Sequence, residues 1–74
     1  MSWRWQAPKY VNRANGDRVS DGRNLGGFAT REEAMVNAIY NATLKHVDTP
    51  EVRDVLWRSL ENTGWTIEPE LAHG

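Results

Sequence analysis

The sequence predicts a small two-layer α+β domain in the order ββ(β)ααβ. A short antiparallel sheet, built from the N-terminal strand, a hairpin and the C-terminal strand, should pack against two helices. Three observations carry this reading. Apolar residues alternate near both chain ends, in SWRWQ (2–6) and WTIEPE (65–70), the period-two mark of half-buried strands. Between them lie two segments of helical periodicity, each opened by a capping residue. Finally, Trp3, Trp5, Trp57 and Trp65 fall within or beside these elements, and each aromatic can bury roughly 150–250 Å².

The chain has 74 residues and no cysteine. That length fits one domain spanning 1–74, with 1–2 and 70–74 expected to fray. So short a chain buries only about 60% of the surface its unfolded form exposes. Without cysteine it has neither a disulfide nor a thiolate metal site to staple it. The core must therefore come from apolar packing, with the tryptophans as its main material. No apolar run reaches the ~18 residues of a membrane span, and no apolar stretch follows the first basic residue as in a secretory signal. The expectation is a cytoplasmic protein.

In SWRWQ, Trp3 and Trp5 point one way, Arg4 and Gln6 the other. Pro8 cannot donate to a ladder, so it should end this strand, sit at an edge or mark a bulge. Asn15-Gly16 is the dipeptide of a two-residue type I′ hairpin turn, which would pair Arg13 with Arg18 and Asn12 with Val19. Facing arginines repel, so either the loop is longer or an anion sits between them; the longer loop is preferred. Asp21-Gly22 and Gly26-Gly27 read as further turns, so 15–27 could instead be one mobile loop.

Thr30 followed by Glu33 forms a capping box: the hydroxyl accepts from the N3 amide and the carboxylate reaches back to the N-cap amide. A helix should run from Thr30 to about His46. Ala34, Met35, Ala38, Ile39 and Ala42 make one broad stripe, suited to docking on a sheet. Val36, Tyr40, Leu44 and Val47 make a second, which should meet the other helix. That helix opens with Thr49 as N-cap and Pro50 at N1, where a missing amide costs nothing. Val52, Val55, Leu56 and Leu60 mark its apolar face, with Trp57 on the flank. Asp54 and Arg58 are spaced to pair, and Gly64 fits the stop. Trp65 and Ile67 then share one face of a last strand, which Pro69 should end.

Little here points to catalysis. His46 and Asp48 are the nearest thing to a base and its orienter, but a histidine at a helix end more often complements the dipole. His73 lies in the tail. GRNLGGFAT lacks the lysine and spacing of a phosphate loop. Asp48, Glu51 and Asp54 lack calcium-loop spacing, and so small a domain is ill suited to enclosing a pocket of ~300 Å³. The reading is a non-enzyme with no cofactor and no metal.

Charge is more informative. Nine Lys and Arg stand against ten Asp and Glu, a formal net charge of −1. Residues 1–31 hold six basic and two acidic groups, net +4, while residues 32–74 hold three basic and eight acidic, net −5. A split of this kind points to a charged partner or to attraction between the halves. Two binding surfaces follow. Arg4, Lys9, Arg13, Arg18 and Arg23, interleaved with Trp5 and Tyr10, would suit nucleic acid, cations gripping phosphates and rings stacking on bases. The acids Glu32, Glu33, Glu51, Asp54 and Glu61, with Glu68 and Glu70, would suit a protein that itself binds nucleic acid, by mimicking phosphate.

The stretch WRWQAPKYVNRANGDRV and the following GGFATREEA resemble, over residues 3–38, the arm-type DNA-binding domain of phage tyrosine integrases. There a basic three-stranded sheet precedes a helix opening with a similar Gly-Phe-x-Thr-x-x-Glu-Ala pattern. That resemblance implies a sheet whose outward residues, Arg4, Arg13, Arg18 and Arg23, enter the DNA major groove. The hairpin departs from it in carrying Asp17 and Asp21, and a second helix and last strand are added. In size and style the chain is also similar to small phage accessory proteins, anti-CRISPR inhibitors among them, which implies a complete small product that blocks a host protein through a charged face. A net −1 chain gains little from phosphate neutralisation. The sequence therefore favours a non-catalytic protein-binding factor first and DNA binding second, with a homodimer open to it through a free sheet edge.

Overall fold

The computed structural model describes residues 2–12, 14, 16, 18–20 and 22–70. Its elements are β1 (Ser2–Gln6), β2 (Tyr10–Asn12), β3 (Arg18–Ser20), β4 (Asn24–Phe28), α1 (Arg31–Thr43), α2 (Pro50–Glu61) and β5 (Thr66–Glu70). The fold is α+β, with an antiparallel three-stranded sheet in the order β4-β1-β5 and a two-stranded ladder, β2-β3. The first strand is thus the central one. The two chain ends meet in adjacent strands, with Ser2 opposite Glu70 and Trp5 opposite Ile67. Ser2 and Glu70 are therefore paired strand residues, not frayed ends.

Three strand expectations are decided by the structure, two of them against the sequence reading. First, Asn24–Phe28, read as turn and loop, is a sheet strand. Its glycines serve a bulge: Trp5 faces Leu25 but Trp3 faces Phe28, so β4 carries one extra residue there. Gly27 has φ 88°, a left-handed conformation open to glycine at no steric cost. Second, of the two hairpin readings the two-residue register is the one set aside, as the preference for a longer connection anticipated: Asn12 stands opposite Arg18 and Val11 opposite Val19. In this register Arg18 stands opposite Asn12, not Arg13. The same register runs on through Ala7 N–H to Arg23 C=O (2.8 Å) and Gly22 N–H to Pro8 C=O (3.1 Å), so β2-β3 extends the β1-β4 pairing. Third, Pro69 lies inside β5, opposite Trp3. An edge strand tolerates it, since ladder donors on the outer side have no neighbour to serve.

α1 begins as its cap dictates. Glu33 N–H donates to Thr30 Oγ1 (3.1 Å), and Glu33 Oε2 accepts from Ala29 N–H (3.1 Å), one residue before the expected N-cap amide. The helix stops at Thr43, short of the expected His46. Thr43 Oγ1 donates to Ile39 C=O (2.8 Å) and accepts from Lys45 N–H (3.2 Å), a local bonding pattern that competes with helix continuation. Leu44 then turns left-handed at φ 61°.

α2 opens with Val52 N–H donating to Thr49 Oγ1 (3.2 Å). It closes with Trp65 N–H to Leu60 C=O (3.2 Å) and Gly64 N–H to Glu61 C=O (3.0 Å). This is the Schellman pattern, with Gly64 at φ 108° supplying the left-handed residue.

α1 lies on the inner face of the sheet and α2 packs against α1. The core gathers Trp5, Ala7, Met35, Ala38, Ile39, Trp57 and Trp65. Trp5 and Trp65 rings lie 5.3 Å apart, and Trp5 Nε1–H donates to Asn37 Oδ1 (2.8 Å). Trp3 is only half buried. Trp57, expected on the flank, is 3% exposed, while Val52 and Val55 are 44% and 67% exposed. The helix has rolled to bury one indole in preference to two valines, as the larger apolar area requires.

Candidate functional site

Strand alternation and register place Ser2, Arg4, Gln6, Thr66, Glu68 and Asn24 on one face of the sheet, opposite to the one that carries Trp5. The apolar surface left uncovered is on the other side. α1 presents Val36 and Tyr40 to solvent, followed by Leu44 at its C-cap. These belong to the second apolar stripe, expected to meet α2, yet only Val47 of that stripe packs on the core. Beside them runs an open groove of about 540 Å³, lined by Phe28, Glu32, Glu33, Val36, Asn37, Tyr40 and His46. The sequence argued against a pocket of this size. The groove escapes that argument because it is a surface channel, not an enclosed cavity.

His46 lies beyond the helix, not in its last turn. Its ring rests on Tyr40, centroids 4.9 Å apart. Among the described residues, no hydrogen bond from Asp48 orients it. A second, smaller apolar patch of about 250 Å³ lies on α2 between Glu51, Val52, Val55 and Leu56.

The acidic residues singled out in the sequence divide accordingly. Glu32 and Glu33 rim the α1 groove, and Glu51 borders the α2 patch. Asp54 pairs with neighbouring Arg53 (3.1 Å) and not with Arg58, an exposed contact of the kind worth about 0–1 kcal/mol. Glu61 closes α2 at the far end from Glu51. Glu68 stands opposite Arg4 in the sheet. Glu70 accepts from Gly27 N–H (2.6 Å) and Ser2 Oγ–H (3.0 Å).

The basic residues do not share one face. Arg4 donates to Asn24 Oδ1 (2.8 Å) on the outer side of the sheet. The Arg23 guanidinium lies over the Trp65 ring, 5.7 Å from its centroid, and donates to Asn41 C=O (3.3 Å) on the helix side. Lys9 is exposed. Arg13 lies outside the described residues, as do the side chains of Tyr10 and Arg18.

Phe28, Val36, Tyr40, His46, Val52 and Val55 were not among the candidate site residues. The signal for two of them, Val36 and Tyr40, was the unused α1 stripe, assigned to the wrong neighbour. Among the described residues no cluster of three or more His, Asp or Glu could hold a metal, and no helix is long and apolar enough to cross a membrane. The chain matches no known protein family, no curated protein and no solved structure.

Proposed function

We propose that the chain is a non-catalytic binding protein that docks on another protein through its helical layer and modulates it. The sidedness of the surface carries this reading. Among the described residues, Val36, Tyr40, Leu44, Val52 and Val55 are exposed large apolar side chains of the helical layer, and only Leu25 is exposed from the sheet. Carboxylates of Glu32, Glu33 and Glu51 border these patches, and Asp54 follows on α2, paired with Arg53. A partner that fits offers an apolar patch framed by basic side chains, since rim charges set orientation while the apolar centre is desolvated. Proteins that hold nucleic acid have such surfaces. In its sharpest form the reading is an anti-CRISPR-like inhibitor from a phage or mobile element, acting in the host cytoplasm. His46 rests against an aromatic ring instead of an orienting acid, which supports a binding role over a catalytic one.

A photo-crosslinking residue at Val55, set against one at Thr66 on the outer sheet face, tests the proposal in cells that make the protein. A discrete protein adduct is expected from Val55 and not from Thr66. Equal labelling at both positions would sink it.

DNA binding is the second reading. One observation favours it: β2 and β3 prolong the β1-β4 pairing as a two-stranded ribbon, a shape that a major groove admits. Duplex titration at low and high salt separates the two. Binding that weakens with salt and is lost in Arg13→Glu with Arg18→Glu would replace the first proposal by the second.

A further inference from the structure

We infer that the α1 groove is the interface of a two-fold homodimer, with α1 of a second copy lying antiparallel along it. This goes beyond the partner-binding reading: it assigns the α1 half of the apolar helical layer to a second copy and leaves the Val52–Val55 patch of α2, bordered by Glu51, for another protein.

The groove side of α1 is built to match itself. Val36 and Tyr40 lie one turn apart on the groove side of α1, Leu44 follows at its C-cap and prolongs the ridge, and the three are 38%, 41% and 75% exposed. Charge is distributed unevenly along that ridge. Glu32 and Glu33 lie at its start, and Lys45 and His46 follow its end. An isologous contact needs a patch complementary to itself after a half-turn. Antiparallel placement with the axis between Val36 and Tyr40 sets Val36 against Tyr40 of the copy. It also brings Glu32 and Glu33 beside Leu44, Lys45 and His46 of the copy, so acid meets base at both ends, while Arg31, at the same end, turns aside to Met35 Sδ (3.3 Å). Parallel placement would set acid on acid.

Leu44 supplies a separate observation. It is held at φ 61°, the single non-glycine residue with positive φ among those described, and its side chain is also the most exposed of the large apolar ones. A bulky residue in left-handed backbone is strained, and such strain marks functional positions more often than ordinary surface. Within one chain Leu44 is left largely to solvent; in the dimer it closes the end of the ridge.

A contact of about one helix per copy falls at or below the ~1,200 Å² that begins the range of stable interfaces. The dimer is therefore weak and reversible. Sedimentation velocity of the intact chain over a wide concentration range should show the monomer giving way to the dimer. Leu44→Gly relieves the left-handed strain, so the fold is kept, yet it removes the end of the ridge. Its dimer should be weaker by about tenfold or more, the equivalent of one lost apolar contact, with thermal unfolding no lower than in the parent.

Glu32→Lys and Lys45→Glu should each dimerise poorly alone, because like charges then meet at both ends. Mixed in equal amounts they should recover association as a heterodimer. A chain that stays monomeric at every concentration overturns the inference. So does Leu44→Gly associating as the parent does, or a mixture no better than its components. None of these outcomes bears on crosslinking from Val55, so the two proposals fail separately.

Discussion

The Glu70 carboxylate joins both chain-end strands to the bulge in β4. It accepts from Ser2 Oγ–H and from Gly27 N–H, and it fits because Gly26 has no side chain: a Cβ there would stand 2.5 Å from Glu70 Oε1. The Gly27 N–H first, then the Ser2 hydroxyl, and lastly the charge of Arg4 hold its pKa below the ordinary 4.5, outweighing slight desolvation. A carboxyl whose folded pKa is depressed stabilises the fold fully above its unfolded value. That stabilisation is lost as pH falls below 4.5 and through the lowered folded value. Glu70→Gln should therefore lower the urea midpoint at about pH 7, and the gap from the parent should shrink toward nothing by about pH 3 or below. A gap that is constant with pH would mean the charge of Glu70 is not what matters.

Caps and registers decide the elements. Both helix starts were legible because each needs only neighbouring residues: Thr30 with Glu33, and Thr49 with Pro50. Thr30→Ala removes the acceptor for Glu33 N–H and should cost about 1 kcal/mol in a denaturant titration. An unchanged midpoint would show that the Glu33 carboxylate on Ala29 N–H suffices alone. The strands were less legible. The Asn15-Gly16 dipeptide alone implies one hairpin register, the facing arginines it entails speak against it, and the chain adopts the register one residue away. A single-residue slip turns every side chain to the other face, so the longer pairing from Trp5 to Asn12 outweighs the preference of one dipeptide. β4 was missed for a related reason. Its Asn-Leu-Gly-Gly-Phe composition has poor strand propensity, and it is a strand because β1 offers a partner edge.

For the molecule as a whole, stability rests on a narrow seam of indole and small aliphatic side chains between the sheet and α1. Ala34, Ala38 and Ile39 are 0% exposed and Trp5 only 2%. The alanines let α1 approach closely enough for Trp5 to reach Asn37. Trp5→Ala should cost about 3–5 kcal/mol, comparable with the ~5 kcal/mol that holds a marginal domain together. Loss of the folded far-ultraviolet dichroism spectrum is expected, while Trp3→Ala, at a half-buried site, should remain folded with a lower midpoint. The reverse order would mean that the core lies nearer the chain terminus than this packing allows.

The sequence by itself determined the α+β class, the two helix starts, the place of Trp5 and Trp65 in the core and the separation of basic from acidic halves. Each of these depends on local periodicity, caps or composition. Only the tertiary structure decided which way α2 rolled, which strand took the centre, and that Val36, Tyr40 and Leu44 would face solvent. Those outcomes follow from competition between distant groups for buried area. Trp57 displaced Val52 and Val55 because it removes more apolar surface from water, and α2, once turned that way, left the second face of α1 uncovered. The acidic residues flanking that face were visible from the start; the groove between them was not.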